Sequence, residues 1–286
     1  CVMSYLDHIR ACNNAVLGRF VPLLVDEQRV GWLRPEFVAK LSNWPEVFDI
    51  AAESVSILQE LDDFELRTNA MHSPLRALAT IGVIDGWRDE PYPVMPNWGN
   101  EPLLQMERAA VPHFGIRAWG VHMNGFVRRE DGLHIWVATR ARDKPTYPGM
   151  LDNTVAGGQP IGITPRDNLV KECSEEAGIP KFLSLQARPV GVISYCHETL
   201  DGAKPDQMFC YDLEMPVDFT PLNMDGEIDA FELWPIEKVA ERVRDSFDFK
   251  FNSNLAIIDF LIRHGILTPE NEPDYVDIVL GLRRPN

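Results

Sequence analysis

Three glutamates near the middle of the chain have the clearest capacity for chemistry. Glu172, Glu175 and Glu176 are spaced i, i+3 and i+4, so a helix places all three carboxylates on one face within one turn. Like charges at this spacing repel, and they are stable only when they are solvated or neutralised by a cation. Carboxylate oxygens suit hard cations such as Mg²⁺ and Mn²⁺. On residue types alone, a solvated acidic face on a surface helix is favoured over a metal site.

The neighbouring sequence predicts the helix and the loop that would position these carboxylates. Thr164 is expected as the N-cap, Pro165 as the first helical residue and Gly178 as the stop. A glycine-rich loop, AGGQPIG, precedes this helix. Glycines there let a backbone carbonyl of Ala156 or Gly157 approach the same cation.

The segment from Gly157 to Ile179 resembles the Nudix box, in which a glycine precedes the pattern Arg-Glu-apolar-x-Glu-Glu-x-Gly-apolar at a fixed distance. Seven residues separate Ile163 from Lys171, as the box requires. These same two residues depart from the pattern, since the box usually has glutamate and arginine there. The resemblance implies a site for one or more Mg²⁺ or Mn²⁺ ions, with these ligands: Glu172, Glu175, Glu176 and a carbonyl of Ala156 or Gly157.

Five segments carry a wider resemblance that covers nearly the whole chain, most strongly residues 110–268. They are GVHMNGFV (120–127), KPTYPGMLDNTVAGG (144–158), FCYDLEMP (209–216), DGEIDAFELWP (225–235) and IIDFLIRHGIL (257–267). They look like the Nudix hydrolases related to the domain attached to fungal thiamin pyrophosphokinase, and like similar plant enzymes. The resemblance implies an α/β (α+β) fold, in which a Nudix α/β/α sandwich (residues 113–286) follows a smaller N-terminal α+β domain (residues 1–112). It also implies hydrolysis of thiamin diphosphate or its oxidised forms to the monophosphate.

Glu227 is a candidate for the general base or for a further metal ligand. It lies in DGEIDAFELW at the start of a predicted strand, where the resemblance places a downstream glutamate of the metal site. A box glutamate could be the base instead. The structural alternative for Glu227 is an exposed acid at a strand start. Asp225 and Asp229 are weaker candidates for the same role.

Basic and polar side chains near the glycine loop are candidates for substrate binding. Arg140, Arg142 and Lys144 form a basic run that could screen substrate phosphates, and ordinary surface charge explains it equally well. His122 and Asn124 alternate with apolar residues on a predicted strand, so they share one face. They could contact the substrate, and a half-buried histidine with satisfied hydrogen bonds is an equal alternative.

The composition excludes several classes of protein. The 286 residues are 45% hydrophobic and 24% charged, which is typical of a globular chain and not of a disordered one or a coiled coil. The net charge of −16 repels nucleic-acid phosphates and anionic lipid, so we expect neither as a partner. The longest apolar runs fall far short of the roughly 20 residues that span a bilayer. Neither a P-loop nor a dinucleotide-binding glycine motif is present.

The five cysteines indicate a reducing compartment. They are odd in number, scattered and never spaced as CxxC, so we expect no disulfide framework and no zinc ribbon. The first residues, CVMSYLDHIRAC, lack the basic start and long apolar stretch of a signal peptide. The chain begins with Cys1 and not with methionine, so a short targeting segment could precede it. We expect a cytosolic protein.

Turn residues and apolar periodicity predict the elements around the site. In chain order these are a hairpin over residues 19–33, a helix from about residue 74 behind Ser73, a proline-rich linker over 90–100, a hairpin over 120–139, strands around 188–198, 207–216 and 227–234, and helices near 236–244 and 253–264.

Two other functions stay open at this point. One is a Nudix enzyme that acts on a nucleotide such as ADP-ribose, a dinucleotide or a damaged nucleoside triphosphate. The other is a non-catalytic Nudix-like module that binds a diphosphate, although such a binder has no need of three mutually repelling carboxylates. In each case we expect a small-molecule diphosphate as ligand. The sequence leaves a monomer or a homodimer open.

Overall fold

The structure is a computed structural model that describes residues 3–144 and 146–284. Within these residues the strands are β1 (Val21–Val25), β2 (Gln28–Leu33), β3 (Phe48–Ile50), β4 (Val55–Ile57), β5 (Pro91–Val94), β6 (Leu104–Glu107), β7 (Trp119–Arg129), β8 (Gly132–Arg140), β9 (Leu151–Asp152), β10 (Val155–Gly158), β11 (Arg188–Ser194), β12 (His197–Glu198), β13 (Ala203–Lys204), β14 (Gln207–Glu214) and β15 (Ile228–Pro235). The helices are α1 (Tyr5–Cys12), α2 (Pro35–Leu41), α3 (Phe64–Thr80), α4 (Val111–Phe114), α5 (Pro165–Ala177), α6 (Lys181–Ser184), α7 (Ile236–Asp245), α8 (Phe251–Arg263) and α9 (Tyr275–Gly281). None of these helices is both long and apolar enough to cross a membrane.

A seven-stranded mixed sheet, here called the central sheet, forms the larger part of the fold. Its main path runs β11-β14-β7-β8-β15, with β10 paired to β7 and β9 paired to β8. β14 and β7 are parallel, and the other neighbours are antiparallel. The hairpin predicted over residues 120–139 is confirmed as β7 and β8, whose register pairs Phe126 with Ile135. The strands and helices predicted after residue 188 are confirmed with small shifts at their ends.

Helices cover both faces of the central sheet. On one face Leu169, Cys173 and Ala177 of α5 pack against Val121 and Met123 of β7. On the other face α1, α7, α8 and α9 form a second apolar core with the sheet. The central sheet is therefore the middle layer of an α/β/α sandwich, as the resemblance implies.

The first part of the chain forms a separate four-stranded sheet in the order β2-β1-β4-β3. β1 and β2 confirm the hairpin predicted over residues 19–33, and their turn places Asp26 and Glu27 at positive φ angles of 48° and 62°. Helices α2 and α3 pack against this sheet in a core that includes Leu23, Val55 and Leu78. Residues 21–118 thus bury an apolar core of their own.

Helix α1 packs away from that core. The Tyr5 hydroxyl donates to the carbonyl oxygen of Ala240 at 2.9 Å, and Nε2 of His8 lies 2.6 Å from the carbonyl oxygen of Val243. Both carbonyls belong to α7, which covers the central sheet. The first helix of the chain therefore shares a core with the last helices. The domain boundary at residue 112 stays a prediction.

The predicted helix start at residue 74 is wrong. Helix α3 begins directly after Asp63, whose side chain caps it by accepting from the backbone N–H of Leu66 at 2.7 Å. Pro74 lies inside the helix, where its ring removes one backbone hydrogen bond. Burial of Met71 and Leu78 on the same helix outweighs that loss, since a fully buried side chain of this size contributes about 1.5–3 kcal/mol.

The predicted linker over residues 90–100 is wrong in its first half. β5 pairs with β6 there, and Tyr92, Val94 and Met95 are buried. Pro91 and Pro93 cannot donate backbone hydrogen bonds, but a two-stranded hairpin tolerates them because each strand keeps one unpaired edge. The proline spacing therefore belongs to an edge strand and not to a linker.

The cysteines of the described residues carry free thiols. Cys12, Cys173, Cys196 and Cys210 are all buried, whereas Cys1 lies outside the described residues. Burial raises the pKa of each of the four thiols, so they are protonated and unreactive at neutral pH.

A buried ion cluster joins the central sheet to α8. The Asp152 carboxylate on β9 accepts from Arg140 Nη1 at 2.9 Å and from the hydroxyl of Ser253. The ammonium of Lys250 lies 3.5 Å from the same carboxylate, which is 3% exposed. Burial alone would raise the pKa of this carboxyl, but the charges of Lys250 and Arg140 outweigh it and lower the pKa to about 2. Asp152 is thus ionised and neutralises two buried cations.

We expect Asp152→Asn to lower the free energy of unfolding by about 3–5 kcal/mol, because the change leaves Arg140 and Lys250 without their buried counter-ion. Denaturant unfolding followed by circular dichroism measures the loss. Asp248→Asn is the matched control, since its pair with Arg242 is half exposed and such pairs contribute about 0–1 kcal/mol. Equal losses in the two variants would contradict this account of the cluster.

The difference in unfolding free energy between the wild type and Asp152→Asn should also depend on pH. Because the pKa of Asp152 lies below its ordinary value, its contribution to stability is complete above about pH 4 and is lost as the pH falls towards about 2. The stability difference between the wild type and Asp152→Asn should therefore narrow over that window. If the stability difference stays constant over this pH range, the charge of Asp152 is not the cause of the difference.

Candidate active site

Helix α5 carries the three glutamates, and its ends are those that the sequence predicts. Thr164 is the N-cap, and its hydroxyl oxygen accepts from the backbone N–H of Asp167 at 3.1 Å. Pro165 is the first helical residue, and Gly178 ends the helix at a φ of 61°, which glycine adopts without strain. Leu169 is fully buried and anchors the apolar side of the helix under the central sheet. Glu172 and Glu176 follow Leu169 by three and seven residues, so they lie next to this apolar side and reach the edge of the sheet.

Two of the three carboxylates approach the backbone of β10. Glu176 is 6% exposed, and its Oε2 accepts from the backbone N–H of Ala156 at 3.0 Å. Glu172 comes so near to the next residue that a Cβ atom on Gly157 would lie 2.4 Å from its Cδ. Glycine at position 157 leaves this space to the Glu172 side chain, which any Cβ there would displace. The two carboxylates therefore flank the same two backbone residues.

The strand geometry distinguishes the two backbone carbonyls, those of Ala156 and Gly157, that could bind a metal ion together with Glu172 and Glu176. In an antiparallel pair, each residue directs both of its backbone groups either towards the partner strand or away from it. The N–H of Ala156 binds Glu176, so the Ala156 carbonyl also points away from β7, along the free edge of β10. The Gly157 carbonyl points towards β7, where a Cβ on Gly120 would lie 2.9 Å from its oxygen. The geometry thus favours Ala156 over Gly157 as a metal ligand.

Lys171 pairs with the carboxylates on the exposed side of the helix. Its Nζ lies 2.8 Å from Glu175 Oε2 and 3.2 Å from Glu172 Oε1. It stands where the box has arginine, as a point charge without a bidentate contact. Across residues 3–144 and 146–284, no three His, Cys, Asp or Glu side chains are grouped closely enough to hold a metal ion. Because Lys171 pairs with Glu175, whose side chain is 51% exposed, ligation of Glu175 to a metal requires Lys171 to release it.

The oxygens beside β10 fit a divalent cation. Burial raises the pKa of Glu176 to about 8, and burial also raises the pKa of Glu172 in spite of the adjacent Lys171. In the part of the chain that the structure describes, Glu172 has one contacting cation, Lys171, and a divalent ion beside β10 would stabilise the ionised form of both carboxylates. Carboxylate and carbonyl oxygens are the ligands that hard divalent ions prefer. Glu172, Glu176 and the Ala156 carbonyl are the groups that would hold the ion.

Glu227 lies just before β15, beside the end of the basic run. Its carboxylate forms an ion pair with the Lys144 ammonium, and its backbone N–H donates to Asp225 Oδ1 at 2.8 Å. Lys144 is near enough to Glu176 for its charge to act on that carboxyl, so the pair lies close to the box carboxylates. Glu227 is 41% exposed, and Asp229 points into solvent. Lys144 and Glu227 therefore stand at the rim of the site.

The members of the basic run occupy different environments. Arg140 is 5% exposed, and its guanidinium donates to Asp152 and to the carbonyl oxygen of Tyr147. Arg142 is exposed in the turn that follows β8. Lys144 is the member that pairs with a predicted catalytic carboxylate. These contacts favour a structural role for Arg140 over phosphate binding.

His122 and Asn124 share one face of β7, as predicted, and that face is buried. Nδ1 of His122 lies 2.7 Å from Asn153 Oδ1, and the Asn153 amide donates to Asn124 Oδ1 at 2.9 Å. Asn124 in turn donates to the carbonyl oxygen of Ala256 in α8 at 3.2 Å. Burial lowers the pKa of His122 to about 4, so its ring is neutral at pH 7. These bonds favour the alternative in which both side chains are satisfied within the protein.

The first part of the chain brings side chains to β10 that the sequence analysis did not place there. The Tyr92 hydroxyl lies so near the strand that a Cβ on Gly158 would come within 1.6 Å of it. The guanidinium carbon of Arg108 would lie 3.5 Å from the same Cβ, and Arg108 Nη1 donates to Glu90 Oε2 at 2.8 Å. These residues lie far from the box along the chain and follow no motif. Only the packing of residues 21–118 against the loop reveals them.

We expect Glu172→Gln and Glu176→Gln each to weaken Mn²⁺ binding by on the order of 10- to 100-fold or more, because even supporting groups of metal ligands contribute that much. Electron paramagnetic resonance of the free ion during a titration measures the dissociation constant. Glu130→Gln, in the exposed turn between β7 and β8, is the matched control. Unchanged Mn²⁺ affinity in two well-folded variants of Glu172 and Glu176 would place the cation elsewhere.

The chain is similar to several known proteins. A family model described as a domain of unknown function, DUF4743, matches residues 4–118. The chain is 42% identical over 284 residues to Nudix hydrolase 24, chloroplastic, of Arabidopsis thaliana, which covers 98% of this chain and 78% of that protein. It is 41% identical over 291 residues to Nudix hydrolase 20, chloroplastic, of the same plant, with the same two coverages.

The chain is also similar to solved structures over part of its length. The Nudix domain of Shewanella oneidensis NrtR, complexed with ADP ribose, matches 53% of this chain and 90% of that chain, with 12% sequence identity and a TM-score of 0.42. The identity to the two plant proteins extends over almost the whole chain and over most of each relative. The chain belongs to the Nudix hydrolases, enzymes that act on phosphoanhydride bonds and generally use divalent metal ions.

Proposed function

We propose that this Nudix hydrolase cleaves thiamin diphosphate, or an oxidised derivative of it, to the monophosphate in a Mg²⁺-dependent reaction. The convergence of Glu172 and Glu176 on the free edge of β10 is the observation that supports the phosphoanhydride chemistry. The choice of substrate is supported by the resemblance to the Nudix hydrolases related to fungal thiamin pyrophosphokinase. The segment KPTYPGMLDNTVAGG, residues 144–158, contributes most to that resemblance.

Groups of the chain divide the work of this reaction. When bound, a divalent cation neutralises phosphoanhydride oxygens and makes a water molecule more acidic. Glu172, Glu176 and the Ala156 carbonyl would hold that cation. Lys144 and Lys171 place positive charge beside the diphosphate in a chain whose net charge is −16. In-line attack of water at phosphorus then requires one further carboxylate that accepts a proton.

Glu227 is the carboxylate that we assign to this role. Partial burial would raise its pKa, but the hydrogen bond and charge of Lys144 outweigh that effect and lower it, so Glu227 is ionised at neutral pH. Its exposed fraction of 41% leaves room for a water molecule. Glu172 and Glu176 are occupied at β10. Glu175, which is also half exposed, is the alternative base within the box.

We expect Glu227→Gln to lower kcat by about 10²-fold or more with little change in KM, because a general base acts in the transition state. Steady-state kinetics on the diphosphate substrate measure both constants. Asp229→Asn is the matched control, since Asp229 is an exposed acid on the same strand. A wild-type kcat in Glu227→Gln would move the base to Glu175.

The organic part of the substrate must provide the specificity. A metal and two lysines bind the diphosphate of any substrate, so they do not discriminate. A site that hydrogen-bonds one pattern of heteroatoms rejects an analogue lacking it by roughly 10⁴-fold, whereas apolar fit alone gives about 10- to 200-fold. Residues 21–118, which reach β10 through Tyr92, are the source that we propose for those contacts. Ligand sites favour such junctions between two cores.

We expect thiamin diphosphate or an oxidised derivative to show a higher kcat/KM than ADP-ribose, a dinucleotide or a damaged nucleoside triphosphate. A panel of these compounds, read by product identity, measures the preference. Turnover should vanish in excess chelator and return with Mg²⁺ or Mn²⁺. If a nucleotide is cleaved best, the proposed substrate is wrong, whereas the proposed metal-dependent chemistry is unaffected. Binding of a diphosphate without turnover of any compound would indicate the non-catalytic module.

The remaining expectations about partners and location stay predictions. The net charge of −16 is the reason to expect neither nucleic acid nor a membrane surface as a partner. The odd number and scattered spacing of the cysteines are the reason to expect a cytosolic location. The word chloroplastic in the names of the two plant relatives describes those proteins.

A further inference from the structure

We propose that Arg108, which comes from the first part of the chain, binds a phosphate group of the substrate beside the metal site. The inference rests on the proposed cleavage of a phosphoanhydride, but not on the identity of the organic group. Its support comes from the position of Arg108, from the way it is held, and from the donors that its guanidinium still offers.

Arg108 lies at the end of β10, next to the residues that the box carboxylates approach. Its guanidinium carbon is 3.5 Å from the place of a Cβ on Gly158, whereas Glu172 occupies the place of a Cβ on Gly157. Successive residues of a strand face opposite sides, so Arg108 and Glu172 approach adjacent residues from the two faces of β10. The Glu172 carboxylate is near enough for its charge to act on Arg108. A diphosphate bound at the free edge of β10 therefore has the metal ligands on one side and Arg108 on the other.

The backbone around Arg108 is fixed against the box loop. The N–H of Ile161 in that loop donates to the carbonyl of Pro91 at 3.0 Å, and the N–H of Arg108 donates to the carbonyl of Glu90 at 2.9 Å. Glu107 is 7% exposed, and its carboxylate accepts from three backbone N–H groups, those of Arg88, Glu90 and Ala109. Arg108 is thus held in place before a ligand arrives, which reduces the entropy lost on binding.

The guanidinium of Arg108 has donors to offer to an anion. Its side chain is 41% exposed, and Glu90 Oε2 is the acceptor that it contacts within the described residues. A guanidinium carries five N–H donors in a planar fork that matches two oxygens of a phosphate. The Tyr92 ring lies under it, with 5.6 Å between the ring centre and Cζ of Arg108. One pair of donors can therefore meet a phosphate while the ring and Glu90 orient the group.

A purely structural ion pair is the rival explanation, and Glu90 distinguishes the two. If Arg108 binds phosphate, Glu90 competes with the ligand for the guanidinium and also repels it. Removal of the Glu90 charge should then strengthen anion binding. If the Arg108–Glu90 pair only stabilises the fold, the loss of either partner should have the same effect. That effect is lower stability without a specific change in anion binding.

Methylenediphosphonate, whose bridging carbon is not cleaved, is the probe for this test. Isothermal titration calorimetry of the full chain with Mg²⁺ gives its Kd. We expect Arg108→Ala to raise Kd by about 10- to 100-fold, the range for a hydrogen bond between charged groups. Arg108→Lys should raise it less, because lysine keeps the charge and loses the fork. Glu90→Gln should lower Kd. Arg128→Ala is the matched control, since Arg128 forms an exposed pair with Glu214 at the far end of β7.

Two results would overturn the inference. One is a folded Arg108→Ala variant whose Kd equals that of the wild type, or a wild type that does not bind the probe. The other is a Glu90→Gln variant that binds the probe as weakly as Arg108→Ala does. Should Arg108→Ala fail to fold, Arg108→Lys and Glu90→Gln decide the question. The probe has no organic group, so failure of thiamin diphosphate as a substrate leaves these measurements unaffected.

Discussion

The close approach of two carboxylates to an unpaired strand edge is the constraint on which the rest of the site depends. β10 pairs with β7 on one side, which leaves the N–H and carbonyl of Ala156 pointing away from the sheet. Glu172 and Glu176 are one helical turn apart, so both reach this edge from a single face of α5. A side chain at position 157 would displace the Glu172 carboxylate from this edge. The two carboxylates therefore reach β10 only when three features occur together: glycine at position 157, this register of α5, and the position of β10 at an edge of the sheet.

The positively charged side chains around the site form ion pairs with neighbouring acidic residues. The three pairs are Lys171 with Glu175, Lys144 with Glu227, and Arg108 with Glu90. This arrangement keeps the outward field of an acidic chain negative, so a polyanion without its own counter-ions is repelled. A small diphosphate that arrives with a divalent cation is nearly neutral and can exchange with the paired acids. Under the proposed function, we expect the same side chains to repel a free polyanion and to accept a diphosphate that is bound to a divalent cation.

Much of the site could be predicted because its signals are local. The N-cap, the first-turn proline and the final glycine of α5 lie within one segment, and alternation along β7 and β8 defined their hairpin. The predictions that failed needed knowledge of packing. Helix α3 continues through Pro74 because burial of neighbouring side chains outweighs the backbone hydrogen bond lost there. Alternation placed His122 and Asn124 on one face, but it could not decide between substrate contact and burial, because that depends on the helices that cover both faces of the central sheet. Arg108 reaches β10 through tertiary contacts that no motif records.

The placement of α1 imposes an order on folding. Leu6 and Ile9 of that helix lie in one core with residues of α7, α8 and α9, so both ends of the chain complete the same layer. Closing so long a loop costs conformational entropy before any contact compensates it, and pairings between distant segments form slowly. During synthesis the first helix leaves the ribosome long before its partners exist, while residues 21–118 can already bury their own core. Helix α1 is made before residues 21–118 but reaches its place after them, and its apolar side stays exposed to non-native contacts until α7, α8 and α9 have been synthesised.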